Sequence, residues 1–276
     1  MHDCAAIITT ALRPTLEHAV HSAWAQDLSG SLQVVVAVDG PVTPAGHALL
    51  ERLRAQCPPR RSLTVIAPGY STAAVHGGLY TNSFGGILPA VGSFAADSRY
   101  IAYLDDDDWW GPEHMSGLLN ALQGRPWGHS LSWYVNPVND EPICIDQLES
   151  TGPGRGVYRA RFGGFVRPSC LMVDKLQCAE MLHLWANGTL PNGAGSDRGV
   201  FGALLQHRPS WAESRLASSY YRINPADVNH GHRLVYARAM GYDITRVPNH
   251  QVIDEMSRAG ESWGEVQAVL QQPPHV

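Results

Sequence analysis

The residues best suited to chemistry are four consecutive carboxylates, Asp105 to Asp108 (the aspartate cluster), which follow an apolar run from Tyr100 to Leu104 and precede two tryptophans. An unbroken apolar run predicts a strand that is buried on both faces, as in a parallel or mixed sheet. Open α/β sheets bind their ligands at the carboxyl ends of such strands. Four adjacent carboxylates also need a counter-charge, and hard divalent cations take oxygen ligands. The pattern therefore favours a cation site over a solvated acidic turn.

The elements that would position this cluster alternate between strand and helix. Three apolar runs and two helical patterns follow one another at residues 5–9, 16–26, 32–38, 44–56 and 63–67. This β-α-β-α-β order predicts a parallel, doubly wound sheet. Asp39 follows the second predicted strand, so we expect it at the same edge as the aspartate cluster. An Asp at this place can accept hydrogen bonds from a ribose or a base, although Asp-Gly is also a common turn.

The rest of the chain has a less regular pattern. Helices are expected on either side of the Tyr100–Leu104 strand, at 87–96 and 112–122. Further along, the patterns predict strands at 129–135, 165–173 and 216–223, helices at 174–185 and 197–206, and a surface helix at 252–270.

Length and composition narrow the classes of protein to consider. The 276 residues fit one large α/β domain, and the formal charge of -5 offers no electrostatic footprint for nucleic acid. Five scattered cysteines without a C-x-x-C pair argue against disulfides and a structural zinc site, and they favour a cytoplasmic location. We expect no secretory signal and no transmembrane segment, because no apolar run approaches the necessary length. Peripheral contact with the inner face of a membrane stays open.

Three segments resemble the GT-A glycosyltransferases of the family 2 type, in order and spacing over residues 4 to 125: Ala6–Thr10 with Arg13-Pro14, Val34–Gly40 and Tyr103–Trp109. The resemblance implies an α/β protein of the GT-A type, with a Rossmann-like, doubly wound mixed sheet. It implies a single domain over residues 1–250, whose nucleotide-binding half reaches about 125 and whose acceptor-binding half spans 126–250. A C-terminal helical tail would follow at 251–276. The implied ligands are a nucleotide-diphosphate sugar donor, a saccharide or glycolipid acceptor, and Mn²⁺ or Mg²⁺.

The resemblance also implies roles for residues of the nucleotide-binding half. Thr9 and Arg13 would line the nucleoside pocket, and Asp39 would contact the base or ribose. The family often carries Ala-Arg-Asn before the helix that leads to the acidic strand. Here the matching stretch is Leu88–Gly92, so either Asn82 or Ser83 takes over that contact or the contact is absent.

Within the aspartate cluster, the resemblance implies an Asp-x-Asp pair that holds the metal and the sugar nucleotide. Asp105 and Asp107 match it, with Asp107 the first choice for the metal. Asp106 or Asp108 could share these roles, because a run of four leaves the register open.

Several downstream residues are candidates for the second half of the site. Asp197, after a Gly-rich loop, matches the general base of inverting members, and a helix N-cap is the alternative. His230 and His232 could add metal ligands, although paired histidines also occur in ordinary loops. Trp110 and Trp133 could stack on acceptor sugars, and core packing is the alternative. Four arginines could contact a diphosphate or an anionic acceptor: Arg155, Arg159, Arg161 and Arg167.

The leading hypothesis is a metal-dependent, inverting glycosyltransferase that moves a sugar from a nucleotide-diphosphate sugar to a saccharide or lipid-linked acceptor. A non-catalytic module that binds sugar nucleotides or glycans is the alternative from another class. A sugar-1-phosphate nucleotidyltransferase is less favoured, because it needs a Gly-rich phosphate loop after the first strand. The chain has Thr9-Thr10-Ala11-Leu12-Arg13 there.

Overall fold

The fold is built on a nine-stranded mixed sheet, seen in a computed structural model that describes residues 1–82, 85–190, 195–258 and 264–271. The strands, in chain order, are β1 His2–Thr10, β2 Leu32–Val38, β3 Arg61–Ile66, β4 Ser98–Asp105, β5 Trp109–Trp110, β6 Trp127–Val135, β7 Pro142–Ile145, β8 Gly152–Pro153, β9 Gly164–Phe165, β10 Leu171–Asp174 and β11 Trp211–Arg222. The helices are α1 Leu16–Trp24, α2 Pro44–Gln56, α3 Leu88–Ala95, α4 His114–Leu122, α5 Arg159–Phe162, α6 Lys175–Cys178, α7 Ser196–His207, α8 His230–Ala239, α9 Val252–Arg258 and α10 Gly264–Leu270. Short 3-10 helices lie at Ala74–His76, Pro168–Cys170 and Ala179–Ala186.

The amino-terminal strands form the parallel, doubly wound start that the sequence predicts. Their order in the sheet is β3-β2-β1-β4, and all are parallel. Helices α1 and α2 cover one face of this sheet and α3 covers the other, so β2 is buried at every position. Thr9 pairs with both Ala37 and Asp105. The carboxyl ends of β1, β2 and β4 therefore lie side by side.

The second half of the chain makes the sheet mixed. Strand β10 pairs antiparallel with both β4 and β6, whereas β11 runs parallel to β6 and antiparallel to β5. The sheet thus continues from β4 through β10 and β6 to β11 and ends at β5, with β7 paired to β6. Strands β8 and β9 form a separate two-stranded ribbon.

Two predicted elements of this half have the wrong extent. The run at 165–173 is not one strand, because Pro168 begins a 3-10 turn and only Leu171–Asp174 joins the sheet. Proline lacks the N–H that a strand ladder needs. The helix predicted at 174–185 ends as an α-helix at Cys178 and continues in 3-10 form to Ala186.

Two hydrophobic cores lie on the two faces of the β3-β2-β1-β4 strands, and the carboxyl-terminal helices build a third core on β6 and β7. Helix α8 supplies Leu234 and Tyr236 to this core, α9 supplies Ile253, and α10 supplies Val266. The single surface helix predicted at 252–270 is instead the pair α9 and α10, and residues 259–263 lie outside the described residues. No helix in the described part of the chain is long and apolar enough to cross a membrane.

The contact between α3 and β1 yields a stability prediction. A Cβ at Gly92 would lie 2.8 Å from Cγ2 of Ile7, a stiff β-branched side chain in the core. Gly92→Ala should therefore lower the free energy of unfolding by about 1 kcal/mol, since overpacking outweighs the gain in helix propensity. The control is Gly202→Ala in α7, where the new Cβ meets nothing within 4 Å. That change should raise the free energy of unfolding by about 0.5–1 kcal/mol in urea denaturation. Equal gains from both changes would contradict the close packing of α3 on β1.

Candidate active site

Asp106 is a buried anchor between the ends of β1 and β4. Its side chain is 1% exposed, and its Oδ2 accepts a 2.5 Å hydrogen bond from the Thr10 hydroxyl. The guanidinium of Arg13 donates to Oδ1. Arg13 reaches the cluster because Leu12 adopts a positive φ of 61°, and the Leu12 N–H donates to the Thr10 hydroxyl. A strained residue at the end of β1 is therefore what directs Arg13 to the aspartates.

Asp108 is a second buried anchor, on the side of the second half of the sheet. The Ser169 hydroxyl donates to its Oδ2 at 2.7 Å, and the backbone N–H of Arg222 donates to Oδ1 at 3.2 Å. Burial raises the pKa of Asp108 well above its usual value, and the charges of Asp105 and Asp107 add to this effect. Asp106 and Asp108 thus face into the protein.

Asp105 and Asp107 are the two half-buried members of the cluster. The Asp107 side chain is 37% exposed and accepts a 2.9 Å hydrogen bond from Arg13. Among the described residues only the Ser169 hydroxyl donates to the Asp105 carboxylate, at 3.4 Å. Burial raises the pKa of Asp105 to about 7, with further contributions from Asp107, Asp106 and Asp197. Asp105 and Asp107 are therefore the carboxylates best placed to take a ligand.

The donor set of the cluster fits a hard divalent cation that a diphosphate helps to bind. Mg²⁺ is usually held by one or two carboxylates together with substrate phosphates and waters. Within the described residues no three His, Cys, Asp or Glu side chains are placed to hold one metal ion. The protein thus offers a pair of carboxylates, Asp105 and Asp107, rather than a complete cage. Neither His230 nor His232 is grouped with this pair.

Asp197 lies in the first turn of α7. Its Oδ1 accepts a 2.8 Å hydrogen bond from the N–H of Arg198, and burial raises the pKa of its carboxyl group. Gly195 is the N-cap of this helix, with φ of 84°, so the alternative of an N-cap role for Asp197 is wrong. The charge of Asp197 also raises the pKa of Asp105. The fold therefore brings the predicted base within electrostatic range of the aspartate cluster.

The residues predicted to line the nucleoside pocket sit at the neighbouring strand ends. The Asp39 carboxylate accepts hydrogen bonds from the Ser71 hydroxyl (3.0 Å), the Thr72 N–H (2.7 Å) and the Thr72 hydroxyl (3.2 Å). It thereby holds the segment after β3 against the end of β2. Thr9 faces Gly85, where a Cβ would lie 2.5 Å from the Thr9 methyl.

Asn82 is brought to the other side of the site, beside α7. It is 1% exposed, and its amide nitrogen donates within the protein. Ser83, the alternative to Asn82, lies outside the described residues.

The two tryptophans predicted to bind the acceptor have different environments. Trp110 is 3% exposed, donates its indole N–H to the Ser169 carbonyl at 2.7 Å and stacks on His114 at 4.5 Å. Trp110 is thus a core residue whose ring offers no face to an acceptor in this structure, and the core-packing alternative holds. Trp133 is half-buried and donates its indole N–H to the Ala217 carbonyl.

The candidate histidines lie on α8, not in a loop. His230 begins that helix, is 2% exposed, and its Nε2 lies 2.9 Å from the Pro248 carbonyl. Burial lowers the pKa of His230. His230 thus connects the first turn of α8 to the segment that contains Pro248.

Ser169 and Arg222 contact the cluster but were not predicted from the sequence, whereas Arg167, a predicted contact of a diphosphate or an anionic acceptor, influences the cluster through its charge. Ser169 bridges Asp105 and Asp108, and the Arg222 guanidinium donates to the Asp107 carbonyl at 2.8 Å. Arg167 is buried, pairs with Asp146 at 3.0 Å and lies 3.6 Å from the centre of the Tyr221 ring. Its charge opposes the rise in the pKa of Asp105, Asp108 and Asp197. Arg222 lies at the end of the strand predicted at 216–223, and a charged residue at a strand end is the feature of the sequence that could have identified it as part of the site.

Comparison with solved structures identifies the fold. S. aureus TarS 1-349 matches with a TM-score of 0.53 and 15% identity, covering 87% of this chain and 66% of that one. The mannosyltransferase PcManGT from Pyrobaculum calidifontis, in complex with GDP-Man and Mn²⁺, matches with a TM-score of 0.55 and 12% identity, covering 98% of this chain and 74% of that one. The chain has the GT-A fold.

The expected GT-A architecture is therefore confirmed, and at such low identity the likeness carries the fold alone. The chain spans just under two thirds of TarS 1-349 and 46% of the chain in another S. aureus TarS structure. TarS 1-349 has also been solved with UDP-GlcNAc and with UDP. No protein-family model matches the sequence, and the comparison with curated protein sequences found no match.

The division of the aspartate cluster into anchors and available carboxylates can be measured as stability. Asp106→Ala should lower the free energy of unfolding of this GT-A fold by about 1–3 kcal/mol, because it leaves the Thr10 hydroxyl without its acceptor and removes one of the two carboxylates that pair with Arg13. Asp107→Ala is the matched control and should leave the free energy within about 0.5 kcal/mol, since it removes an exposed ion pair and also relieves repulsion. Urea denaturation in the presence of a chelator tests both. Similar losses from the two changes would contradict the division.

Proposed function

We propose that this protein is a metal-dependent glycosyltransferase of the family 2 type, which transfers a hexosyl group from a nucleotide-diphosphate sugar with inversion. The observation that carries the proposal is the half-buried pair Asp105 and Asp107 at the carboxyl end of β4 in a GT-A sheet, with Asp197 of α7 near enough for its charge to raise the pKa of Asp105. Two available carboxylates suit a cation and a diphosphate, and a third carboxylate with a raised pKa suits a base. The solved relatives with UDP-GlcNAc or with GDP-Man and Mn²⁺ support this class of donor.

The donor would bind to the nucleotide-binding half, residues 1 to about 125. Thr9, Arg13 and Asp39 stand at the ends of β1 and β2, next to the cluster. Because Asp39 holds Ser71 and Thr72, it would shape the nucleoside pocket as well as contact the base or ribose. Asp105 and Asp107 would hold Mn²⁺ or Mg²⁺. When bound, such a cation neutralises charge on the leaving diphosphate.

Asp197 would act as the general base on the acceptor. Its carboxylate takes the proton of the acceptor hydroxyl while the oxygen forms a bond to the anomeric carbon. The bond from that carbon to the diphosphate oxygen breaks on the opposite face, so the anomeric configuration inverts. Burial raises the pKa of Asp197 and so makes it a stronger base than an exposed aspartate, while the charge of Arg198, and to a smaller extent that of Arg167, favours its ionised form.

The acceptor would bind to the second half, residues 126–250, with Trp133 as the aromatic contact. A saccharide and a lipid-linked glycan are both proposed as acceptor classes. A cytoplasmic location at the inner face of a membrane, and metal contacts from His230 or His232, stay predictions.

A donor panel tests the proposed reaction. The protein should release nucleoside diphosphate from one of a set of UDP- and GDP-sugars in the presence of Mn²⁺ or Mg²⁺. The release should stop on addition of EDTA and return with excess metal, because two carboxylates, Asp105 and Asp107, form an incomplete cage among the described residues. Donor binding without turnover for any acceptor would favour the non-catalytic module instead. The absence of both binding and turnover with every donor would overturn the proposal.

The role of Asp197 gives a separate prediction. Asp197→Asn should lower kcat by about 10²–10⁴-fold, because the amide cannot accept the proton. The Kd for the donor, measured by calorimetry, should stay within about twofold, since general-base catalysis acts on the chemical step. Asp254→Asn in α9 is the matched control and should leave both values unchanged. Equal losses of donor binding and kcat in Asp197→Asn would instead mark Asp197 as structural.

A further inference from the structure

The amide of Asn82 joins three separate segments at the base of α7. Its Nδ2 lies 2.7 Å from the Trp185 carbonyl, 2.9 Å from the Ser196 hydroxyl and 3.3 Å from the Gly86 carbonyl. Two of these acceptors are carbonyl oxygens, so the nitrogen of the amide must face them and the side-chain orientation is unambiguous. The amide carries two N–H groups, so the longest contact, to the Gly86 carbonyl, shares a hydrogen with one of the two shorter contacts.

The start of α7 has no side-chain cap, and side chains from outside the helix donate hydrogen bonds to it instead. Its N-cap is Gly195, which has no side chain, and no side-chain capping bond is formed there. Ser, Thr, Asp or Asn normally satisfies the first N–H groups of a helix from that position. Here the Thr189 hydroxyl donates to the Gly195 carbonyl, and Asn82 donates to the hydroxyl of Ser196. Ser196 directly precedes Asp197.

The same residue connects α7 to the donor side of the site. Gly86, which accepts from Asn82, precedes Ile87, whose N–H donates to the Thr72 hydroxyl at 3.0 Å. Thr72 in turn donates to Asp39. A continuous set of hydrogen bonds thus runs from the end of β2 to the first turn of α7.

We propose that Asn82 is a positioning residue that holds Asp197 in place, and not a ligand of the nucleotide. This inference rests on the proposed function, in which Asp197 is the base. The N–H groups of Asn82 already donate to protein acceptors, so they can donate to a nucleotide only by giving those contacts up. Its loss would let the first turn of α7 shift, and a displacement of about 1 Å in a reacting group can cost about 10²-fold in rate.

The primary experiment measures hydrogen exchange and does not depend on turnover. The backbone N–H groups of Arg198 and Gly199 both donate to the Gly195 carbonyl, so their exchange reports the first turn of α7. Ser196→Ala removes one acceptor of Asn82 and should speed exchange of both amides at least threefold, while Ser196→Thr, which restores the hydroxyl, should return it towards the original rate. Asn82→Ala should speed it at least tenfold. Asn139→Ala, in an exposed turn, is the control and should change neither amide. Unchanged exchange in Ser196→Ala and Asn82→Ala overturns the proposal.

Kinetics then separates positioning from ligand binding. Asn82→Ala should lower kcat about 10–100-fold with the Kd of the accepted nucleotide unchanged. In the Asp197→Asn background the same change should lower kcat less than threefold, because the base is already gone. A raised nucleotide Kd with unchanged kcat overturns positioning in favour of a ligand role. If the unaltered protein turns over no donor, the proposed function fails, and the exchange result alone decides whether Asn82 orders the first turn of α7.

Discussion

Four adjacent carboxylates at the end of one buried strand are the constraint around which the site is built. Because β4 lies between β1 and β10, the carboxylates that follow it are partly or fully shielded from water. Residues from distant segments donate hydrogen bonds to two of these carboxylates. Thr10 and Arg13 donate to Asp106, and Ser169 and the backbone N–H of Arg222 donate to Asp108. The remaining pair has weaker partners, since Asp107 pairs with the half-exposed Arg13 and Asp105 accepts a long hydrogen bond from Ser169. A bound cation would relieve the repulsion between these two carboxylates, so the pair is prepared to take a ligand.

The second half of the chain supplies a fixed positive charge behind the cluster. Arg167 and Arg233 are both buried and share Glu149, at 3.6 and 2.6 Å. Tyr134 adds its hydroxyl to Glu149 at 3.0 Å. A buried ionic network of this kind is weak evidence for stability, because desolvation offsets the attraction. It does connect α8 to the strands that flank the aspartates, so the carboxyl-terminal helices support the site as well as the third core.

Hydrogen bonds rather than charges connect the donor side to the proposed base. Asp39 holds Thr72, Thr72 accepts from Ile87, and the Gly86 carbonyl next to it accepts from Asn82. These links hold the segment between β3 and α3, whose regular structure is one short 3-10 helix at Ala74–His76, against the end of β2. Loops of this length acquire a definite shape only through such contacts. The GT-A sheet thus positions the aspartates, while these loops position what surrounds them.

The amino-acid sequence by itself determined the elements of the first half and the edge at which the site lies. Strand β2 and helix α2 have the predicted bounds, because apolar runs and helical periodicity are local signals. The placement of Asp39 and the aspartate cluster at one edge follows from the parallel order of those elements. Only the tertiary structure decided which aspartates face inward, that Trp110 is a core residue, that Pro168 divides a predicted strand, and that Asn82 is turned towards Ser196. Each of these depends on a partner far away in the chain, such as Ser169 for Asp108 and Ser196 for Asn82. Burial and pairing over such separations leave no periodic mark in the sequence, since they arise when packed elements exclude water from a polar group that must then find a partner.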